Sequence, residues 1–176
     1  MAEGFRRQQL IVVAGALPGA ASLAAVLLNA GWLFGGLSLP ADDAASRLAF
    51  AARWLLLPGL TLAAGVQAAA GWRGSVPGAM DGTRTPANHA LEINLRYNQN
   101  TLEQTVLAAI AWAGLALALP HAGLVLIPAM AALFALGRTS FWIGYLLNPL
   151  ARAFGMVVTA LPTLLAYGWL VWRAFT

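Results

Sequence analysis

Long apolar runs separated by short polar breaks dominate this chain, and their length predicts membrane-spanning helices. The runs cover about residues 10–34, 48–71, 93–119, 123–147 and 150–175. Each is long enough to cross a bilayer, which takes about 20 helical residues. The breaks carry conventional helix punctuation. The stretch GGLSLPADDAASR (35–47) ends the first helix with glycines and Pro40, and Asp42 or Asp43 can cap the second. Residues 71–90 form a long polar linker rich in Gly and Pro, whereas LPHAG (119–123) and NPL (148–150) are tight connections. Tight connections make the last three helices antiparallel neighbours. Pro18, Pro58, Pro128 and Pro162 are expected to kink the helices that hold them.

Composition agrees with an all-α, polytopic membrane bundle. The chain of 176 residues is 60% hydrophobic and 9% charged, with a mean hydropathy of +0.73. A soluble domain carries about 25% charged residues. The first run, preceded by Arg6 and Arg7, is longer than the roughly 7–15 apolar residues of a signal peptide, so it reads as a retained helix. Gly15-x-x-x-Gly19 and Gly31-x-x-x-Gly35 have a helix-dimer spacing. With 18 glycines in the chain, ordinary close packing accounts for them.

Charge then orients the bundle. Arg6, Arg7, Arg73, Arg84 and Arg152 fall on one side of the membrane, and Arg47 and Arg173 on the other. The positive-inside rule puts the N-terminus and the 71–90 linker in the cytoplasm. The expected location is the inner (plasma) membrane of a bacterium. The formal net charge of +4 does not indicate a nucleic-acid partner, because the arginines are scattered singly apart from Arg6-Arg7 and no basic run is interleaved with aromatics. The absence of cysteine excludes disulfides, protein thiol chemistry and Cys-metal sites. His89 and His121 have no partner at ligand spacing and read as solvated, so no metal is expected. No nucleophile elbow or phosphate-binding glycine loop is present. The seven tryptophans suit interfacial belts and packing, with Trp142 next to the polar cluster described below.

The chemistry is concentrated in one stretch, RYNQNTLE (96–103). Arg96, Asn100 and Glu103 are spaced i, i+4, i+7 and share a helix face. At about 1.5 Å per residue they lie about 5, 10 and 15 Å in from the cytoplasmic end of the third helix. On the fourth helix, Tyr145 and Arg138 lie about 3 and 14 Å in from the same side. Arg152 opens the fifth. Glu103 and Arg138 thus reach one depth, where an unpaired charge costs about 2.5–3.5 kcal/mol, so pairing or a wet pocket is expected. An inert ion pair, with Arg96 and Arg152 reaching to lipid phosphates, is the plain alternative. Cations in excess of the carboxylate favour a pocket for an anionic ligand.

These residues resemble the MAPEG family, the membrane-associated proteins in eicosanoid and glutathione metabolism. The Arg-x-x-x-Asn-x-x-Glu stripe (Arg96, Asn100, Glu103) carries the resemblance together with GRTSFWIGYLLNPLARAFG (137–155), where Arg138, Phe141, Gly144-Tyr145 and Arg152 follow the family pattern. The likeness covers about residues 50–175. It implies a four-helix membrane domain (48–176) preceded by one additional helix and loop (1–47). It also implies a homotrimer in the lipid bilayer, with glutathione as cosubstrate between neighbouring subunits. By that resemblance Arg96, Asn100, Glu103, Arg138 and Tyr145 hold the tripeptide, and Arg152 stands beside its sulfur as the catalytic residue. The implied activity is a transferase or peroxidase acting on a lipophilic electrophile or lipid hydroperoxide. The alternative is a non-catalytic lipid-binding or scaffold protein of the same fold. A small transporter is a third option, weakened by the scarcity of polar residues in the outer half of the last three helices. Gln104 replaces a tyrosine of the eicosanoid-synthesising members, and Phe141 replaces another pocket tyrosine. Arg84, in the linker, is a further residue that could reach the pocket.

Overall fold

A computed structural model describes residues 2–83 and 85–176; Arg84 therefore lies outside the described residues. Those residues form helices and turns without a strand: α1 (Ala2–Leu28), α2 (Ala30–Phe34), α3 (Ala44–Trp54), α4 (Leu56–Ser75), α5 (His89–Ala118), α6 (Leu126–Leu147) and α7 (Ala153–Ala174). A short 3-10 turn, His121–Val125, leads into α6. Five helical stretches are long and apolar enough to cross a membrane: Gly4–Leu28, Ala44–Ser75, His89–Ala118, His121–Leu147 and Ala153–Ala174. The protein is an all-helical, integral membrane bundle.

Helix ends follow local chemistry. Asp43, not Asp42, caps α3 by accepting the Ser46 N–H at 2.9 Å. Asn88 caps α5 through the Leu91 N–H at 3.0 Å. These caps extend the second and third spans into polar sequence beyond the apolar runs. The second span breaks at Leu55, between α3 and α4. Pro58 explains the break, because it offers no N–H to the Trp54 carbonyl and its ring crowds that oxygen. Pro18 and Pro162 lie inside uninterrupted helices, and Pro128 sits in the first turn of α6, where N–H groups lack intrahelical partners.

α6 is the central helix, with Ile127, Ala131, Phe134, Arg138, Phe141 and Tyr145 buried along its length. Trp112 meets Phe134 edge to face at one level, and Tyr97 meets Phe141 nearer the other end, so α5 and α6 run antiparallel. Small residues let α6 and α7 approach backbone to backbone. A Cβ on Gly155 would strike the Gly137 carbonyl and the Phe141 backbone, and one on Gly144 would lie 2.8 Å from the Ala151 carbonyl. Gly15 and Gly19 are used inside the chain. Their ideal Cβ positions fall 3.2 Å from Ala153 and 3.0 Å from the Phe154 carbonyl, which seats α1 alongside α7 in parallel.

The end of the bundle opposite the 76–88 linker is stapled. Arg47 donates to the carbonyls of Ala116 (3.0 Å) and Leu119 (2.9 Å), orphan acceptors at the end of α5. Asp42 holds the other side of the same guanidinium. His121 Nε2 lies 2.9 Å from the Pro40 carbonyl. Two cavities lined by arginine lie at the linker end.

Candidate functional site

The first turns of α5, the last turn of α6 and the start of α7 meet at the linker end. The close α6–α7 contact at Gly144, Ala151 and Gly155 brings Arg152 to α6, with its guanidinium 4.6 Å from the Tyr145 ring centroid. Arg96 approaches Tyr145 from α5, so the two cations flank one phenol. Two adjoining cavities share Arg96, Tyr145 and Arg152. One, of about 350 Å³, is completed by Asn100, Phe141 and Met156. The other, of about 210 Å³, is completed by His89, Glu92, Ile93 and Pro149.

Arg96, Asn100, Tyr145 and Arg152 therefore stand together as the sequence suggests. Arg138 does not reach either cavity lining. It is 0% exposed, donates to Asn100 Oδ1 at 2.7 Å and Thr101 Oγ at 3.5 Å, and lies 4.2 Å above the Phe141 ring. Glu103 does not pair with it. The carboxylate is exposed and accepts from Gln99 Nε2 at 2.9 Å on its own helix. The expectation rested on depth alone: the Arg138 side chain enters between α5 and α6 at Asn100–Thr101, while Glu103 is exposed on α5.

Glu92, and His89 that the sequence presents as a solvated histidine, are the ionisable cavity residues outside the predicted set. Glu92 pairs with Arg96 at 2.5 Å across one helical turn. Both belong to the same stripe, one and two turns before Arg96, so extending the i, i+4, i+7 pattern backwards would have found them. His121 is occupied at the far end of the bundle. Among the described residues no group of three or more His, Asp or Glu could hold a metal ion. Trp142 stacks on Tyr97 at 4.9 Å and lines a separate groove with Leu57, Thr61 and Thr139.

The electrostatic character follows from this inventory. Arg96 and Arg152 line the cavities, Arg138 sits behind the Phe141 and Asn100 wall, and Glu92 is the carboxylate in the lining. Guanidinium groups are obligate donors and stay charged. The arrangement suits an anionic ligand with several acceptor oxygens. Phe141 and Met156 add an apolar side to the larger cavity. Comparison with family models, curated proteins and solved structures finds no match to this chain.

Proposed function

We propose that the protein is a membrane-bound, glutathione-dependent transferase or peroxidase of the MAPEG type, acting on a lipophilic electrophile or lipid hydroperoxide. The observation that carries this reading is the convergence of Arg96 and Arg152 on Tyr145 in one pair of adjoining cavities. Glutathione has two carboxylates and one ammonium group. Arginine takes carboxylates with paired N–H donors, and Glu92 offers the ammonium an acceptor. Bound there, glutathione supplies a thiol whose deprotonated form is the nucleophile. Arg152 is the residue to stand by that sulfur, because a nearby cation favours thiolate over thiol. Tyr145, between the two guanidiniums, can donate its hydroxyl proton to the same anion. Phe141 and Met156 offer the lipophilic partner an apolar wall.

The oligomer and location belong to the same proposal. Glu103 and Gln99 are exposed on a membrane-spanning helix, and a carboxylate left against lipid costs about 2.5–3.5 kcal/mol. A second copy over that face would remove the cost, and it would bring Glu103 to the edge of a site shared between subunits. We propose a homotrimer in a bacterial inner membrane, with the N-terminus and the linker end in the cytoplasm, as the arginine distribution indicates.

One observation favours a second reading. Arg96 and Arg152 are both exposed near the ends of spanning helices, where lipid phosphates lie. A lipid-binding or scaffold protein of the same fold, without turnover, would use them for headgroups. Calorimetric titration of glutathione into purified protein in nanodiscs separates the two readings. Binding heat that Arg96→Ala removes supports the enzyme. No heat in the wild type at millimolar glutathione leaves the lipid-binding protein.

A further inference from the structure

Arg138 is a buried cation with no carboxylate beside it. The ion pairs among the described residues are Arg47–Asp42 and Arg96–Glu92. Its Nη1 donates to Asn100 Oδ1, its face lies over Phe141, and its Nε and Nη2 hydrogens find no acceptor among the described residues. Burying such a group is costly unless something is gained by it.

The gain can be read from donor and acceptor types. Arginine has no acceptor atom, so an amide that bonds to it must present its oxygen. That fixes the orientation of Asn100, which is otherwise ambiguous for an amide side chain. With Oδ1 turned inward to Arg138, the Asn100 NH2 group is turned outward. No acceptor takes it among the described residues, and Asn100 lines the 350 Å³ cavity. The wall formed by Arg96, Asn100 and Arg152 then offers donors only.

We infer that Arg138 is a positioning residue: from behind the wall it locks the Asn100 amide with its hydrogens toward the cavity, which selects a carboxylate or carbonyl oxygen at that point and rejects an ammonium group. This deepens the glutathione reading and rests on it for the ligand's identity. The donor-only wall is a separate claim that can be tested with any acceptor-rich anion. Asn100→Asp is the informative change because it alters almost nothing in shape. One carboxylate oxygen keeps the bond to Arg138 and gives it a counter-charge. The other replaces the outward NH2 with an anionic acceptor.

The experiment titrates glutathione and, in parallel, inorganic pyrophosphate into wild type and Asn100→Asp in nanodiscs, with thermal midpoints taken without ligand. The expected result is an unchanged or raised midpoint in the variant, with affinity for both probes about tenfold to a hundredfold weaker. Affinities within threefold of wild type overturn the inference while leaving glutathione binding intact. Wild type that binds pyrophosphate but not glutathione sinks the glutathione reading, and the variant's pyrophosphate affinity then decides the inference. Wild type that binds neither overturns both. If Asn100→Asp does not fold, Arg138→Gln takes its place. Glutamine presents both donor and acceptor to Asn100, so the amide is no longer locked and the charge behind the wall is gone; affinity for both probes is then expected to fall by more than threefold.

Discussion

The guanidinium of Arg152 lies 4.6 Å from the centroid of the Tyr145 ring, across the junction of α6 and α7. The contact depends on the sharp Asn148–Pro149–Leu150 connection and on a glycine, Gly144, where the Ala151–Arg152 backbone leading into α7 crosses. A cation over an aromatic face is held in place without being neutralised, so Arg152 keeps its charge for the cavity. Arg152→Ala is expected to lower turnover of a lipophilic electrophile by about a hundredfold or more, with glutathione affinity changed by less than threefold. Tyr145→Phe keeps the ring under Arg152 and tests the hydroxyl alone. Steady-state kinetics beside calorimetry check both. An equal loss of binding and turnover in Arg152→Ala would make the residue a binding group only.

The two ends of the bundle differ in how they are held, and stability measurements should register this. Arg47 satisfies the Ala116 and Leu119 carbonyls and is itself held by Asp42. Arg47→Ala strands both acceptors and leaves Asp42 unpaired. The expected loss is about 1–3 kcal/mol, seen as a lower thermal midpoint in detergent. Arg96→Ala, at the linker end, breaks one exposed pair with Glu92 and should leave the thermal midpoint nearly unchanged, because solvent screens such a pair.

A pair of glycine substitutions separates helix propensity from packing. Gly168 has open space where a Cβ would go, while Gly155 would meet the Gly137 carbonyl and the Phe141 backbone. Gly168→Ala should be neutral or stabilising by up to about 1 kcal/mol. Gly155→Ala must push α6 and α7 apart, at about 1–3 kcal/mol. It should also move Arg152 from Tyr145 and weaken ligand binding. Melting curves and glutathione titration of the two variants check this; equal stability would mean the close α6–α7 approach is not rigid.

Much of this architecture was legible in the residues, and the part that was not has a physical reason. The spans could be found because a bilayer demands an uninterrupted apolar length, which a sequence displays directly. Their ends lay a few residues off because Asp43 and Asn88 let helices start inside polar segments. Rotation about the helix axis was not legible. Rise per residue gives Glu103 and Arg138 similar expected depths, yet Glu103 is exposed on α5 and Arg138 is buried against Asn100 and Phe141. Which side of α5 meets α6 is decided by packing: Gly65 gives way to Tyr97 and Asn98, and Tyr97 meets Phe141. No spacing rule reports that choice. Glu92 and His89 were within reach of the stripe argument, but the apolar run begins after them and the helix begins at His89.

Acid sensitivity should trace in part to the cap of the second span. Asp43 lies in the loop before α3 and accepts the Ser46 N–H at 2.9 Å. Hydrogen bonds from Ser46, side chain first and backbone second, hold its carboxyl below the usual value of 3.8. A lowered folded-state pKa means that the ionised form is favoured by folding. That contribution is complete above the unfolded value and is lost as pH falls through the folded one. Thermal midpoints between about pH 7 and about pH 3 test it with two variants. Asparagine also caps helices but does not titrate, so Asp43→Asn should fall less steeply on acidification than wild type. Asp43→Ala should melt lower than wild type near neutrality, with the gap narrowing as Asp43 protonates and its cap weakens. Parallel curves for wild type and Asp43→Asn would show that the ionisation of this cap has no part in the acid response.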